Sequence, residues 1–344
     1  MVDDPALRAV LEGAVPFVLP LRHPFRGTVL REGMLVRGPS GWGEFSPFDD
    51  YSDVAAGRWL SSAIEAAFGT YPEARRSEIE VNAIIPAVDS ADATVLAREA
   101  AMAFGCRTVK VKVGSADLAD DEARVASVRD VLDTVLGRGR GAIRIDANGA
   151  WDVPRGSLAL RRLGAYGIEY VEQPCRTIGE MRELRGHVDM PFAVDETIRT
   201  ADRPESIRVR DYADVAVLKP APLGGVAALL RVAEGLDVPV VVSGSLDSSV
   251  GLDAAVAAAA ALDDLPFACG LGTGSLLADD LVATTRVPEG GVIGTGRTVP
   301  DLASLLAARD RLTEGRATWW RERLVAAWVA GAGERSGGLV SDAT

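Results

Sequence analysis

Histidine and cysteine are scarce in this 344-residue chain. It has only two histidines, His23 and His187, which argues against a zinc site. The three cysteines, Cys106, Cys175 and Cys269, are an odd and widely spaced set. This spacing argues against a disulfide framework and predicts reduced thiols in a cytoplasmic protein.

Positive charge and long apolar runs are also missing. The net charge of −12 argues against a nucleic acid or an anionic membrane as partner, because neither would be attracted to the protein. The N-terminus lacks a basic segment followed by an apolar core of signal-peptide length, so we expect no export. The longest apolar stretch, around residues 254–262, is too short for a membrane span and predicts a buried helix. The sequence leaves the oligomeric state open.

No strand candidate is followed by a glycine-rich dinucleotide fingerprint, so a Rossmann fold has no support. From about residue 80, strand and helix patterns alternate every 25 to 30 residues or so. Eight such units predict an α/β fold with a parallel barrel and not an open sheet. The predicted strands are Glu80–Ile85, Thr108–Val113, Ala142–Asp146, Ile168–Glu172, Phe192–Asp195, Asp214–Lys219, Val238–Ser243 and Phe267–Leu271.

The two ends of the chain have other patterns. Residues 1–79 contain short alternating runs and an amphipathic helix near Val54–Phe68, which predict a small α+β capping domain. We expect the barrel to span residues 80–300. Residues 301–344 should form C-terminal helices, partly packed on the cap, and a mobile Gly/Ser-rich tail after about Gly331.

Three acidic residues end successive predicted strands: Asp146, Glu172 and Asp195. In a parallel barrel these ends meet at one mouth, so the three carboxylates should converge. A single acid at such a position is more often a helix N-cap, but three in succession favour a metal site. Oxygen ligands indicate Mg²⁺, with Mn²⁺ as the alternative.

Basic residues flank these acids. Lys110 and Lys112 lie two positions apart on one strand, so they face the same side, and Arg144, Asp146 and Asn148 are aligned in the same way. In a barrel that side is the interior. The alternative, two outward-facing lysines, is weakened by the valines between and beside them.

A divalent ion beside lysines suits the removal of a proton next to a carboxylate. The metal would stabilise the enediolate that forms. Lys112 is the predicted base, because Lys110 and the metal would both favour its neutral form. Lys219, from the opposite wall, would stabilise the enediolate or act as a second acid or base. The expected partner is therefore a small-molecule carboxylate.

Other positions are predicted to support the site. Asn148 is aligned to bind a metal-bound water, and Glu196 should support the neighbouring ligand and not bind the metal itself. Arg26 could bind a carboxylate of the substrate or be solvated, and the solvated position is favoured for Arg22. Turn residues after the seventh and eighth strands could bind that carboxylate or only shape the turns. These are Ser243, Gly244, Ser245, Gly272 and Thr273.

The chain resembles the enolase superfamily, in its muconate-lactonizing-enzyme-like branch. The matching motifs are Lys110-Val111-Lys112, Asp146-Ala147-Asn148, Val171-Glu172-Gln173-Pro174, Val194-Asp195-Glu196 and Leu218-Lys219-Pro220. The resemblance implies an N-terminal α+β capping domain on a modified (β/α)₇β barrel. It also implies one Mg²⁺ on Asp146, Glu172 and Asp195, with acid/base chemistry by lysines.

Within that branch the chain looks most like the o-succinylbenzoate synthases of menaquinone biosynthesis, of the actinobacterial type. Residues 21–27, 41–47 and 243–249 carry this finer resemblance. It implies a lyase that dehydrates 2-succinyl-6-hydroxy-2,4-cyclohexadiene-1-carboxylate. Lys112 would take the α-proton and return it to the departing hydroxyl on the same face, and Lys219 would stabilise the intermediate.

Two alternatives stay open. An N-acylamino acid racemase or dipeptide epimerase would use the same two lysines from opposite faces of the substrate. A non-catalytic barrel scaffold is the remote alternative, although such a protein would be expected to have lost a ligand or a lysine.

Overall fold

The computed structural model describes residues 4–343. The strands are β1 (Ala14–Phe25), β2 (Thr28–Gly38), β3 (Gly41–Phe45), β4 (Glu78–Glu80), β5 (Asn82–Ile85), β6 (Thr108–Lys112), β7 (Ala142–Asp146), β8 (Ile168–Glu172), β9 (Phe192–Val194), β10 (Val215–Leu218), β11 (Val240–Val242) and β12 (Val292–Gly294). The helices are α1 (Pro5–Glu12), α2 (Asp53–Phe68), α3 (Ser90–Met102), α4 (Leu118–Leu136), α5 (Val153–Leu163), α6 (Ile178–Arg185), α7 (Glu196–Arg199), α8 (Pro220–Leu223), α9 (Val226–Gly235), α10 (Leu252–Ala261), α11 (Leu302–Asp310), α12 (Glu314–Ala327) and α13 (Gly333–Ala343).

Strands β5 to β11 form one parallel sheet in chain order. An eighth segment closes this sheet into a barrel. Its residues Cys269 and Gly270 form parallel β-bridges with Val81 and Ser243, respectively. This segment is followed by a 3₁₀ helix, Gly272–Leu276, and not by an α-helix. The predicted (β/α)₇β barrel is therefore confirmed, with an eighth strand shorter than expected.

The side chains of β6 show how the sequence builds the barrel. Val109 and Val111 are fully buried in the layer between the sheet and the helices. Lys110 and Lys112 alternate with them and point into the barrel, where they pair in register with Arg144 and Asp146 of β7. The lysines are therefore interior groups and not surface groups.

The cap is an antiparallel sheet of β1, β2 and β3 on which α2 packs. Its core includes Trp59 of α2 together with Trp320 and Leu324 of α12, all of them buried. Ser52 caps the N-terminus of helix α2, where its hydroxyl accepts a hydrogen bond from the backbone N–H of Ala55. The C-terminal helices thus contribute to the core of the N-terminal sheet.

The expectation of a mobile tail after about Gly331 is wrong for residues 333–343, which form helix α13. Its glycines allow close packing, since a Cβ atom at Gly333 would lie 2.6 Å from Nε1 of Trp328. Ser336 is buried as well. Residues 1–3 and 344, which belong to the predicted cap and tail, lie outside the described residues. The boundaries at residues 80 and 300 stay a prediction.

The predicted buried helix around residues 254–262 is confirmed as α10, where Ala255, Val256 and Ala258 have almost no exposed surface. Of the helices in residues 4–343, none has both the length and the apolar character needed to span a membrane.

Candidate active site

The C-terminal ends of the barrel strands meet the cap around one pocket. It encloses about 630 Å³ of space between atoms, its open mouth included. Its lining residues come from both units: Phe25, Arg26, Phe48, Tyr51 and Trp59 from the cap, and Asn82, Ile84, Lys110, Lys112, Asn148, Asp195, Glu196, Arg199, Lys219, Pro222, Ser243, Gly244, Ser245, Leu246, Gly270, Gly272 and Thr273 from the barrel.

The two lysines of β6 lie beside carboxylates at the strand ends. Lys112 Nζ is 2.6 Å from Asp146 Oδ2 and 2.7 Å from Asn148 Oδ1. Lys110 Nζ lies deeper, 3.0 and 3.1 Å from the two carboxylate oxygens of Glu172 and 3.5 Å from Asp146 Oδ2. Burial by itself lowers the pKa of Lys110, but the charges of Glu172 and Asp146 outweigh it and raise that pKa. Lys110 is therefore a fixed cation beneath Lys112.

The carboxylates of Asp146, Glu172 and Asp195 are almost completely buried. Burial, followed by the negative charge of Asp146, raises the pKa of Glu172 to about 7, and Asp195 adds to this effect. Burial would also raise the pKa of Asp146, but Lys112 and Lys110 lower it below its usual value. The three groups are thus close enough to repel one another and depend on nearby cations.

A second chain of contacts runs around the barrel mouth to Lys219. Asn148 Nδ2 donates to Glu196 Oε1 over 3.1 Å, and Arg199 Nη2 donates to the same oxygen over 2.7 Å. Arg199 Nε also donates to Asp195 Oδ1, while Lys219 Nζ lies 2.6 Å from Asp195 Oδ2. Burial by itself raises the pKa of Asp195, but Lys219 and Arg199 outweigh it and lower that pKa. Lys112 and Lys219 are therefore both held by acids.

Two residues after the strands adopt strained backbone conformations. Asn148 and Gln173 have φ angles of 47° and 41°, which side chains other than glycine seldom adopt. The Asn148 backbone N–H donates to Asp146 Oδ1, and Gln173 Oε1 accepts from the backbone N–H of Asp195. The hydrogen bond from Asn148 thus orients the carboxylate of Asp146, and the one to Gln173 holds the backbone at Asp195.

The structure brings together most of the predicted site residues. All five predicted turn residues after β11 and the eighth strand line the pocket, and so do Arg26, Asn148 and Glu196. Asp146 and Glu172 lie directly below, in contact with the lysines. Arg144 is elsewhere: it lies deeper in the barrel, bound to Glu169, and is absent from the pocket lining. Its predicted supporting role at the site stays a prediction.

Several pocket residues were not anticipated from the sequence. Arg199 contacts Asp195 and Glu196, and it donates a hydrogen bond to the hydroxyl of Tyr51 in the cap. Phe48 of the cap lines the pocket as well. Arg199 lies four residues after Asp195, a spacing that places both on one face of a helix and could have indicated the pair.

Asp146, Glu172 and Asp195 are the predicted ligands of a divalent metal. Within residues 4–343, no cluster of three or more His, Cys, Asp or Glu side chains is arranged around a metal position. The oxygens of Asp146, Glu172 and Asp195 are engaged by lysines instead. Yet the three are buried, carry hard oxygen donors only and interact electrostatically through Glu172. The chemistry of these donors therefore fits a divalent cation.

Two family descriptions match this chain. The family described as "Enolase C-terminal domain-like" matches residues 92–301, and that described as "Enolase N-terminal domain-like" matches residues 17–67. These ranges correspond to most of the barrel and to the sheet and first long helix of the cap.

Curated relatives are similar over nearly the whole length. The chain is 45% identical over 339 residues to an o-succinylbenzoate synthase of Mycobacterium leprae, covering 97% of each protein. It is 47% identical over 326 residues to an o-succinylbenzoate synthase of Mycolicibacterium smegmatis, covering 94% of this chain and 97% of that protein.

Solved structures share the fold at low sequence identity. A muconate lactonizing enzyme from Pseudomonas fluorescens has a TM-score of 0.70 at 20% identity, covering 86% of this chain and 97% of that one. An L-Ala-D/L-Glu epimerase from Bacillus subtilis has a TM-score of 0.68 at 20% identity, covering 83% of this chain and 96% of that one.

Proposed function

The chain belongs to the enolase superfamily, among its o-succinylbenzoate synthases, and we propose that its barrel pocket carries out their reaction with Lys112 as the base. The reaction is a syn dehydration of 2-succinyl-6-hydroxy-2,4-cyclohexadiene-1-carboxylate to 2-succinylbenzoate. The observation that supports this assignment is that Lys112 and Lys219 line one pocket, each bound to a carboxylate at a strand end.

Lys112 is placed to move the proton twice. Its Nζ lies in the pocket with Asp146 and Asn148 as partners, so it has a fixed position before the substrate binds. In its neutral form it removes the proton next to the ring carboxylate. The resulting ammonium then donates the same proton to the departing hydroxyl, which lies on the same face, so no second proton donor is required.

Lys219 has a different role in this scheme. It is a cation next to Asp195 and lines the same pocket. Its ammonium stabilises the negative charge that develops on the substrate carboxylate and transfers no proton. Lys110 remains a cation below, because its pKa is raised by Glu172 and Asp146. Two fixed cations thus face the developing charge.

Members of this superfamily use a divalent metal ion, and we propose Mg²⁺, held by Asp146, Glu172 and Asp195. When bound, the ion supplies Lewis-acid stabilisation of the substrate carboxylate. Asn148 and Glu196 would support this set through the hydrogen bond between them. Mn²⁺ has the same oxygen-ligand preference and should substitute for it.

The decisive experiment follows the loss of diene ultraviolet absorbance with purified protein and Mg²⁺. We expect rapid turnover by the wild type and a loss of at least a thousandfold in Lys112→Ala. Arg22→Ala is the control, because Arg22 lies outside the pocket lining and is bound to Glu99. Activity retained in folded Lys112→Ala protein would overturn the assignment of the base.

The same two lysines also suit racemisation of an N-acylamino acid. The observation that favours it as a second activity is that both reach one pocket from different strands of the barrel. Deuterium incorporation from D₂O into an N-succinylamino acid would reveal it. Absence of exchange by an enzyme that is active in dehydration would exclude it.

We further propose a cytoplasmic location for the enzyme. The support is that Cys106, Cys175 and Cys269 are all buried, free thiols. Alkylation of the denatured protein, taken directly from cells, should label three thiols, and fewer than three would count against the proposal.

A further inference from the structure

A buried polar network joins the cap to the barrel beside the pocket. It runs from Arg31 on β2 through Ser46 and Glu44 to Ser248 in the loop after β11. Each of the four residues is at most 7% exposed. Ser46 Oγ donates to Glu44 Oε1 over 2.6 Å, and Glu44 Oε2 accepts from the backbone N–H of Ser248 over 3.0 Å. Glu44 thereby links the cap to the loop.

Arg31 makes the contacts that reach the pocket wall. Its Nε donates to the backbone oxygen of Leu246 over 2.9 Å, and its Nη2 donates to Ser46 Oγ over 2.8 Å and to the backbone oxygen of Ser245 over 3.4 Å. Its guanidinium also lies 4.4 Å from the ring centre of Phe48. Ser245, Leu246 and Phe48 all line the pocket.

The loop held by Arg31 is strained. Leu246 has a φ of 65°, in the left-handed region that is rare for a branched side chain. Burying a guanidinium is also costly, and burial lowers the pKa of Arg31. The hydrogen bond from Arg31 to Leu246 thus joins a buried charge to a strained backbone, and both features are unfavourable for stability. This indicates that Arg31 serves to position the loop rather than to stabilise the fold.

The loop that contains Ser245 and Leu246 forms the part of the pocket wall that is available to the succinyl arm. The reacting ring must lie near Lys112 and Lys219, and the pocket continues from these lysines to the loops after β11 and the eighth strand, which leaves room there for the succinyl arm. There, Thr273 Oγ1 is buried, and no residue in the described range 4–343 is a hydrogen-bond partner for it. Arg26 lies on the cap side of the same space. A hydroxyl donor and a cation suit a carboxylate at the end of the arm.

We propose that Arg31 is a specificity-determining positioning residue, which holds the Ser245–Leu246 turn and Phe48 as the wall that receives the succinyl arm. This inference rests on the proposed function, since that function supplies the ligand. The residue acts through the wall and does not touch the reacting atoms. The cap thereby contributes to selectivity without supplying a group for the proton transfers.

The test compares two ligands on Mg²⁺-loaded protein by calorimetry. The first is 2-succinylbenzoate, and the second is benzoate, which has the ring carboxylate without the arm. In Arg31→Met we expect the Kd for 2-succinylbenzoate to rise about tenfold or more, with the Kd for benzoate unchanged within twofold. KM for the diene substrate should rise by a larger factor than kcat falls.

Arg37→Met is the matched control, because Arg37 lies on the same strand but contacts Trp42, outside the pocket lining. It should change neither Kd. If Arg31→Met weakened the binding of both ligands equally, or of neither, the proposal would be overturned. If that variant does not fold, Ser46→Ala, which removes one partner of Arg31, should show the same selective loss in smaller measure, and an equal loss would again overturn the proposal. Failure of the wild type to turn over the diene would count against the proposed function, which is a separate outcome.

Discussion

Lys112 and Asp146 are register partners on adjacent parallel strands, and Nζ of the lysine lies 2.6 Å from Oδ2 of the aspartate. Lys219 and Asp195 form the corresponding pair across the pocket, also at 2.6 Å. The two lysines have similar surroundings but different proposed roles. Substitutions that keep the charge should therefore separate them.

Replacement by arginine tests this difference. Lys219→Arg keeps a cation beside Asp195 and should retain measurable turnover, with kcat reduced by about 10². Lys112→Arg should fall to the level of Lys112→Ala, because a guanidinium is not deprotonated in proteins and cannot act as base. The measurement is kcat for both variants by diene absorbance. Comparable activity in the two variants would contradict the division of roles.

Removal of the metal is the second prediction. Protein treated with a chelator should lose turnover and regain it with Mg²⁺ or Mn²⁺. Asp195→Asn should weaken Mn²⁺ binding by at least tenfold, since it removes a charged ligand. Mn²⁺ affinity can be measured by electron paramagnetic resonance without reference to activity. Asp189→Asn, at a position outside the pocket lining, is the control and should bind Mn²⁺ normally.

The free energy of unfolding should depend on pH in a way that reveals the raised pKa of the Glu44 carboxyl. Burial and the negative charge of Asp247 raise the pKa of Glu44 to about 7, although Arg31 opposes this. The folded state therefore holds this proton at pH values where the unfolded state has lost it, and the stability contributed by Glu44 declines as pH rises from about 4.5 to about 7. The decline should be on the order of 1–3 kcal/mol.

Glu44→Gln mimics the protonated carboxyl and should remove this part of the decline. The measurement is the free energy of unfolding in urea at pH 5, 6, 7 and 8. Glu73→Gln, at an exposed position, is the control and should follow the wild-type profile. An unchanged profile in Glu44→Gln would show that Glu44 is ionised in the folded protein across this range.

A contact between Glu65 of α2 and the start of α9 should fix the Gly224–Gly225 loop, which joins α8, the short helix after Lys219, to α9. Both carboxylate oxygens of Glu65 accept backbone N–H groups, from Val226 and Ala227. Gly225 has a φ of 123°, and a Cβ atom there would collide with Glu65 Oε2. Gly225→Ala should therefore destabilise the protein by roughly 1–3 kcal/mol.

The matched control for this prediction is Gly315→Ala in helix α12. A Cβ atom at Gly315 meets no heavy atom within 4 Å among the described residues, so the change should be neutral or stabilising by up to about 1 kcal/mol. Thermal unfolding of both variants measures the difference. A Gly225→Ala protein as stable as the wild type would show that the loop can move away from Glu65.

Much of the candidate site could be predicted from the sequence because its residues lie at the ends of strands. Asp146, Glu172 and Lys219 each follow an apolar run, and a parallel barrel brings the ends of such runs to one mouth. Alternation along β6 likewise fixed the inward direction of Lys112. These are local properties of the chain, so one sequence is enough to infer them.

Contacts between distant segments could not be predicted in this way. Arg31 meets Leu246 across 215 positions of sequence, and Arg199 meets Tyr51 across 148. No period or spacing connects such pairs, because they depend on how the cap is seated on the barrel. The helix at residues 333–343 was not predicted for a similar reason. Its glycines are typical of a flexible linker, and the sequence does not show that Trp328 packs against them.

The sequence by itself therefore determined the barrel, the inward charges and the chemistry that they support, because strand periodicity and strand-end position are encoded locally. Only the tertiary structure decided which cap residues complete the pocket. Phe48 lies in the pocket wall, Arg144 lies below the site, and Arg31 donates a hydrogen bond to Leu246 in a strained turn of the barrel. These outcomes depend on packing between two units, where the shape of one surface selects the neighbours of the other.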